Sequence, residues 1–165
     1  MNKIRIGVFP SGSENALEVY NSLVDSYHFE PVGMTSVEDI TPNIYDKHVR
    51  VPHLGDEGFE EGFLAKCKDF NITIVITTHD DAAYYFSKSK RLKSSLRFQN
   101  TDLQTNLLAR HKDCLYDFFN DHKFSLQTYK CLSEIDDFPV LIKPKVGQGG
   151  KGVRKINSFS ELDTE

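Results

Sequence analysis

Hydrophobic and polar positions alternate with two different periods along this chain. Residues 4–9, Ile-Arg-Ile-Gly-Val-Phe, alternate and then fill in with apolar residues, the pattern of a strand buried in a parallel sheet. Pro10-Ser-Gly-Ser13 reads as a turn. Ser13 is placed to cap a helix whose Leu17, Tyr20, Leu23 and Val24 share one face. A second strand is expected over residues 29–35, which completes a βαβ opening. A short strand follows at residues 48–51 and is ended by Pro52. Residues 57–70 then place Phe59, Phe63, Cys67 and Phe70 at helical spacing. Residues 72–76, β-branched throughout, give the clearest strand of the chain.

That strand runs into Thr77-Thr-His-Asp-Asp81. Acidic residues there suit the start of a helix, and Lys88, Lys90, Arg91 and Lys93 suit its end, so this basic run reads as a solvated helix terminus. A weak strand is expected at residues 96–98. Beyond it Asp102 is a candidate cap for an amphipathic helical stretch marked by Leu103, Leu107, Leu108, Leu115, Phe118 and Phe119, with a break near Arg110. In a continuous helix Lys112 would fall on that apolar stripe. Its stem could snorkel to water, or its ammonium could point into a cleft.

Two places carry candidate chemistry. The first is the set of turns after the first and fourth strands, Ser11, Gly12 and Ser13 with His79 and Asp80. Open α/β sheets bind ligands at the carboxyl ends of their strands, which makes this a candidate substrate crevice. The first turn lacks G-x-G-x-x-G and so does not suit a dinucleotide. A structural turn and a helix cap are the simpler roles for these residues.

The second place is residues 138–156, Phe-Pro-Val-Leu-Ile-Lys-Pro-Lys-Val-Gly-Gln-Gly-Gly-Lys-Gly-Val-Arg-Lys-Ile. An apolar run leads to Lys143, a turn carries Gly147, Gly149, Gly150 and Gly152, and an alternating run follows, so the unit is a β-hairpin with a lysine on its first strand. Glycines let backbone N–H groups approach a ligand, and such groups together with ammoniums hold polyphosphate. Three phosphate motifs fail here. Walker A requires Lys then Ser or Thr after its last glycine, but Val153 follows Gly152. The Rossmann fingerprint requires a helix directly after the loop, and here a strand follows. A kinase loop precedes its lysine, whereas Lys143 precedes this loop. An ordinary basic surface hairpin is the plain alternative.

Composition narrows the picture. The chain has 165 residues, with 39 % hydrophobic and 27 % charged residues and a net charge of −4. That is a globular composition without the basic field that would draw it to nucleic acid or an anionic membrane. No apolar run reaches the ~18 residues of a membrane span. Three separated cysteines, with no C-x-x-C pair, suggest reduced thiols in a cytoplasmic protein. The six histidines form no metal pattern.

The lead-in Phe138-Pro-Val-x-x-Lys-Pro144 with its glycine-rich turn resembles the ATP-grasp superfamily, in which strand, lysine, proline and glycine loop recur in this order. Lys112-Asp-Cys-Leu-Tyr-Asp-Phe-Phe resembles the helix that carries that family's other nucleotide-contacting lysine. Residues 124–129 fill the place of the family's intervening segment. The resemblance spans the whole chain and is nearest to carbamoyl-phosphate-synthase large-subunit-like proteins, on Pro10-Ser-Gly-Ser-Glu-Asn-Ala-Leu-Glu-Val-Tyr-Asn-Ser-Leu, Thr35-Ser-Val-Glu-Asp and Val51-Pro.

It implies an α/β fold. A Rossmann-like open parallel sheet, the pre-ATP-grasp domain (1–105), would precede an incomplete ATP-grasp segment with a Gly-rich β-hairpin (106–165). It also implies ATP and Mg²⁺ as cofactors, a small carboxylate as substrate and its activation as an acyl phosphate for attack by an amine or another nucleophile. ATP would be held by Lys112, Lys143, Gln148, Gly149, Gly150 and Lys151. The family's Mg²⁺ ligands and acyl-phosphate arginine lie beyond the hairpin. The chain is therefore expected to be an N-terminal fragment, inactive by itself, with no metal ligands and no catalytic residue of its own. A homodimer is compatible with this reading. The competing expectations are a non-catalytic Rossmann-like module for a small molecule or nucleotide, and a scaffold domain without catalysis.

Overall fold

In the computed structural model, residues 3–123, 126–147 and 150–162 are described. The first unit, Met1–Asn106, is built on a parallel five-stranded sheet. Its strands are β1 (Ile4–Phe9), β2 (Phe29–Thr35), β3 (His48–Arg50), β4 (Ile72–Thr77) and β5 (Arg97–Gln99), in the spatial order β3-β2-β1-β4-β5. β1 lies at the centre and pairs with β2 on one side and β4 on the other. The chain therefore winds outward in one direction, returns to the middle and winds outward in the other. This is an α/β, Rossmann-like open sheet.

The helices cover both faces because neighbouring residues of β1 point to opposite sides. Val8 packs with Ala16 and Tyr45, a cluster supplied by α1 (Glu14–Leu23) and the C-cap of the short α2 (Thr41–Ile44). Phe9 faces the other way into the larger cluster. There it meets Phe59 and Phe63 of α3 (Phe59–Asp69), Phe86 of α4 (Asp80–Lys88) and Leu92 of α5 (Lys90–Ser95). Aromatic rings dominate that face, with Phe9 and Phe63 at 5.2 Å and Phe63 and Phe86 at 5.2 Å between centroids.

Several helix ends differ from the pattern read along the sequence. The basic cluster does not end one helix. Ser89 breaks it, and its side chain accepts from the Leu92 amide to cap α5, so Lys90 and Arg91 lie in a first turn. Here a local serine cap outweighs the preference of cations for helix C-termini. The third helix starts at Phe59 and not at residue 57, because Gly58 adopts φ 80° at its N-cap. The leucine-rich stretch, by contrast, breaks where expected near Arg110: it is two helices, α6 (Leu103–Arg110) and α7 (Lys112–Phe118), separated at His111, which is extended. Lys112 thus opens a helix and does not sit on a continuous apolar stripe.

The second unit, Leu107–Glu165, contains α7 and an antiparallel hairpin of β6 (Val140–Ile142) and β7 (Arg154–Ile156). β7 begins one residue later than the alternating pattern at Val153 suggested. The register pairs Val140 with Ile156, Leu141 with Lys155 and Ile142 with Arg154. Among the described residues no helix is long and apolar enough to cross a membrane.

Candidate functional site

In the second unit, α7 and the exit of β6 are tied together by a short series of bonds. A helix leaves its first amides without intrahelical partners. The Lys112 amide finds one in the Lys145 carbonyl, 2.9 Å away. The same residue's Nζ donates to the Gly147 carbonyl at 2.8 Å. One residue on, Asp113 Oδ2 lies 3.2 Å from Lys145 Nζ. The bond from Lys145 is the largest influence that holds the Asp113 carboxyl below its ordinary range. One helical turn after Lys112, the Tyr116 hydroxyl accepts from Lys143 Nζ at 3.2 Å, and the ammonium lies 5.8 Å from the centre of the tyrosine ring.

The loop beyond Pro144 is shaped by two glycines. Gly150 has φ 71° and Gly152 has φ 74°, left-handed values that disfavour any side chain. A Cβ on Gly152 would stand 2.8 Å from Pro144 Cγ, so the proline that ends β6 also fixes where the loop returns. The Val153 amide closes the turn on the Gly150 carbonyl at 3.1 Å. Lys151 is exposed between these glycines. Gln148 and Gly149 lie outside the described residues. Lys112 and Lys143 are thus brought to one helix and one hairpin, both half-buried, with Lys151 further out on the loop. Tyr116 and Lys145 belong to the same arrangement and were missed from the sequence. The signal for Tyr116 was its position four residues after Lys112 on a helix.

In the first unit the candidate crevice residues are largely committed to the fold. Ser11 is fully buried, and its hydroxyl lies 2.8 Å from that of Thr41. Ser13 caps α1 by accepting from the Ala16 amide, and His79 caps α4 through Nδ1, 3.3 Å from the Asp81 amide. Gly12 faces the Asp39 carboxylate. The turns after β1 and β4 are bonded to each other, with the Thr78 amide on the Phe9 carbonyl at 2.9 Å and its hydroxyl on the Pro10 carbonyl. Asp80 stands in the first turn of α4. A hollow of about 100 Å³ lined by Lys3, Tyr20, Glu30, Asp46 and Lys47 lies at the opposite, amino ends of the strands, away from the edge where such sheets bind ligands. Among the described residues no group of three or more His, Cys, Asp or Glu is placed to hold a metal ion.

No protein-family model matches the chain, and no curated protein sequence matches it. Solved structures do. Pyruvate carboxylase of Rhizobium etli, determined with the allosteric activator acetyl coenzyme A, is similar over 100 % of this chain and 16 % of its own, at TM-score 0.68 and 19 % identity. The biotin carboxylase domain dimer of 2-oxoglutarate carboxylase from Hydrogenobacter thermophilus, in complex with MgADP, ADP and bicarbonate, is similar over 96 % of this chain and 38 % of its own, at TM-score 0.66 and 14 % identity. L-amino acid ligase from Bacillus licheniformis is similar over 98 % of this chain and 40 % of its own, at TM-score 0.59 and 18 % identity. At these identities the likeness establishes the fold, and the chain spans well under half the length of each of these proteins.

Proposed function

We propose that this chain carries the N-terminal, nucleotide-engaging part of an ATP-grasp ligase. In this reading residues 1–105 form the pre-ATP-grasp domain and residues 106–165 begin the ATP-grasp domain. The parent enzyme would activate a carboxylate as an acyl phosphate with ATP and transfer the acyl group to an amine or another nucleophile. Similarity to carbamoyl-phosphate-synthase large-subunit-like proteins belongs to the same proposal, as do a cytoplasmic location and a homodimer.

One observation carries it: α7 and the glycine hairpin bring Lys112 and Lys143 to a single helix–loop junction. Phosphoryl transfer depends on positioning and on neutralising negative charge more than on covalent chemistry by the protein. Two ammoniums beside a loop whose glycines hold left-handed backbone fit a polyphosphate. ATP, when bound, would supply the phosphoryl group. Lys112 and Lys143 would neutralise its phosphates, and the Gly150 and Lys151 amides, with those of Gln148 and Gly149, would cover them. The Lys112 ammonium would exchange the Gly147 carbonyl for a phosphate oxygen. The described residues do not fit Mg²⁺, and its ligands would come from the part of the ligase that this chain does not span.

Calorimetric titration of ATP, with and without Mg²⁺, tests the reading on this chain and on the longest form its source encodes. Binding that Lys143→Met weakens while the urea midpoint holds supports it. No heat in either form would overturn it, and stabilisation by a small metabolite but not by ATP would favour a binding module instead.

A further inference from the structure

Lys143 directly follows the three-residue strand β6, and a lysine side chain there has four rotatable bonds through which to wander. Electrostatic stabilisation of a phosphate needs a charge already in place when the ligand arrives. The structure holds this one from α7, whose Tyr116 hydroxyl accepts from the ammonium at 3.2 Å. A hydroxyl acceptor is neutral, so it orients the cation without consuming its charge. A carboxylate at that place would pair with the lysine and compete with phosphate. The carboxylates of this helix are directed to other lysines, Asp113 to Lys145 at 3.2 Å and Asp117 to Lys130 at 2.9 Å. Lys112 and Tyr116 stand one turn apart, so one helix face fixes both the loop at Gly147 and the lysine at the strand end.

We propose that Tyr116 is the positioning residue for Lys143, holding its ammonium through the hydroxyl so that the site is ready for a nucleotide's phosphates. The inference rests on the ATP-grasp reading above for its ligand, and on the Lys143–Tyr116 geometry for its mechanism.

ATP titration of the parent chain, Tyr116→Phe, Tyr116→Leu and Lys143→Met tests it. Tyr116→Phe, which keeps the ring, is expected to weaken ATP binding about three- to tenfold. Tyr116→Leu, which removes the hydroxyl together with the ring, is expected to weaken it to a similar extent. Far-UV circular dichroism and urea midpoints should stay those of the parent. In the Lys143→Met background the tyrosine substitutions should have no further effect, a coupling that a merely structural tyrosine would not show. If Lys143→Met weakens binding and Tyr116→Phe does not, the positioning role is overturned and the ATP reading stands. If Lys143→Met binds ATP as the parent does, the ATP reading falls.

A measurement without nucleotide keeps the positioning role open to refutation in that case and in a chain that binds no ATP. Reductive ¹³C-methylation of the lysines gives a Lys143 resonance displaced from those of the other lysines by the phenol beside it. Tyr116→Leu should abolish that shift, and Tyr27→Phe, at a residue 92 % exposed, should leave it alone. A Lys143 resonance unmoved by Tyr116→Leu would overturn the proposal.

Discussion

Gly12 and Asp39 approach so closely that a Cβ on Gly12 would stand 2.2 Å from Asp39 Oδ2. The carboxylate has little freedom to retreat, since Oδ2 accepts from the Thr35 hydroxyl at 2.6 Å and Oδ1 from the Thr41 amide at 2.8 Å. Burial acts to raise the Asp39 pKa, yet the bonds from Thr35 and Thr41 outweigh it and leave the carboxyl below its ordinary range. Gly12→Ala is therefore expected to destabilise the first unit by about 1–3 kcal/mol, the cost of breaking one or both bonds. Asp39→Ala removes the atoms that clash most. The double substitution should cost clearly less than the sum of the single ones in urea unfolding. Additive losses would show that the close approach is not what requires glycine at this turn.

Phe86 is fully buried, and its ring centroid lies 4.8 Å from that of Phe98, 5.2 Å from Phe63, 5.8 Å from Phe9 and 6.1 Å from Phe59. Phe86→Ala removes the ring that these four share and leaves a cavity the sheet cannot collapse. The expected loss is about 3–5 kcal/mol, a large part of the about 5–15 kcal/mol available to a domain. Phe86→Leu keeps most of the volume and should cost roughly half as much. Thermal and urea unfolding of both variants measure this. A loss under about 1 kcal/mol for the alanine variant would mean that this face of the sheet is not organised around Phe86.

The sheet was legible because its signals are local. Ile4–Phe9 and Ile72–Thr77 carry β-branched or alternating residues, and Ser13 caps α1 as its position in the sequence suggests. Short elements were not legible. α2 has four residues, too few to show a period, and it is held by Tyr45, whose hydroxyl donates to the Ala16 carbonyl 2.9 Å away. The break at Ser89 was obscured because the same lysines and arginine suit one helix end or the next helix start. At the candidate nucleotide site both lysines could be named from the sequence, but Tyr116 could not. Its role depends on a contact between α7 and Lys143, 27 residues apart in sequence, which helical spacing does not show.

Glu30 couples three strands' ends through charge. β1 and β2 pair Arg5 with Glu30 in register, and Arg5 Nε lies 2.8 Å from Glu30 Oε2, while Lys47 reaches Oε1. The bond from Lys47, then that from Arg5, lowers the Glu30 pKa below its ordinary value of 4.5. Because the folded value is the depressed one, this contribution is complete above about pH 4.5 and fades as pH falls through the lower folded value. Glu30→Gln is expected to cost about 0.5–1 kcal/mol at pH 7, a modest figure because these side chains are partly solvated. Urea midpoints of parent and variant should converge as pH drops from 6 towards about 3. A difference independent of pH would show that the glutamate acts by packing and not by charge.

Cys67 sits at 1 % exposure among Phe63, Phe59 and the inner strands, and burial pushes its thiol up to about 12. The thiolate is the reactive form, so this cysteine should be inert in the folded chain. Cys131 is exposed and Cys114 half-buried. Reaction with Ellman's reagent at pH 8 is therefore expected to proceed in three phases: Cys131 first, Cys114 more slowly, and Cys67 only as fast as α3 opens from the sheet. Raising urea below the unfolding midpoint should accelerate the last phase alone, and Cys67→Ala should delete it. The slow phase then measures the opening of the aromatic face directly, independent of any ligand. Three thiols reacting together in native buffer would place Cys67 outside the core and remove α3 from the packing that holds this sheet.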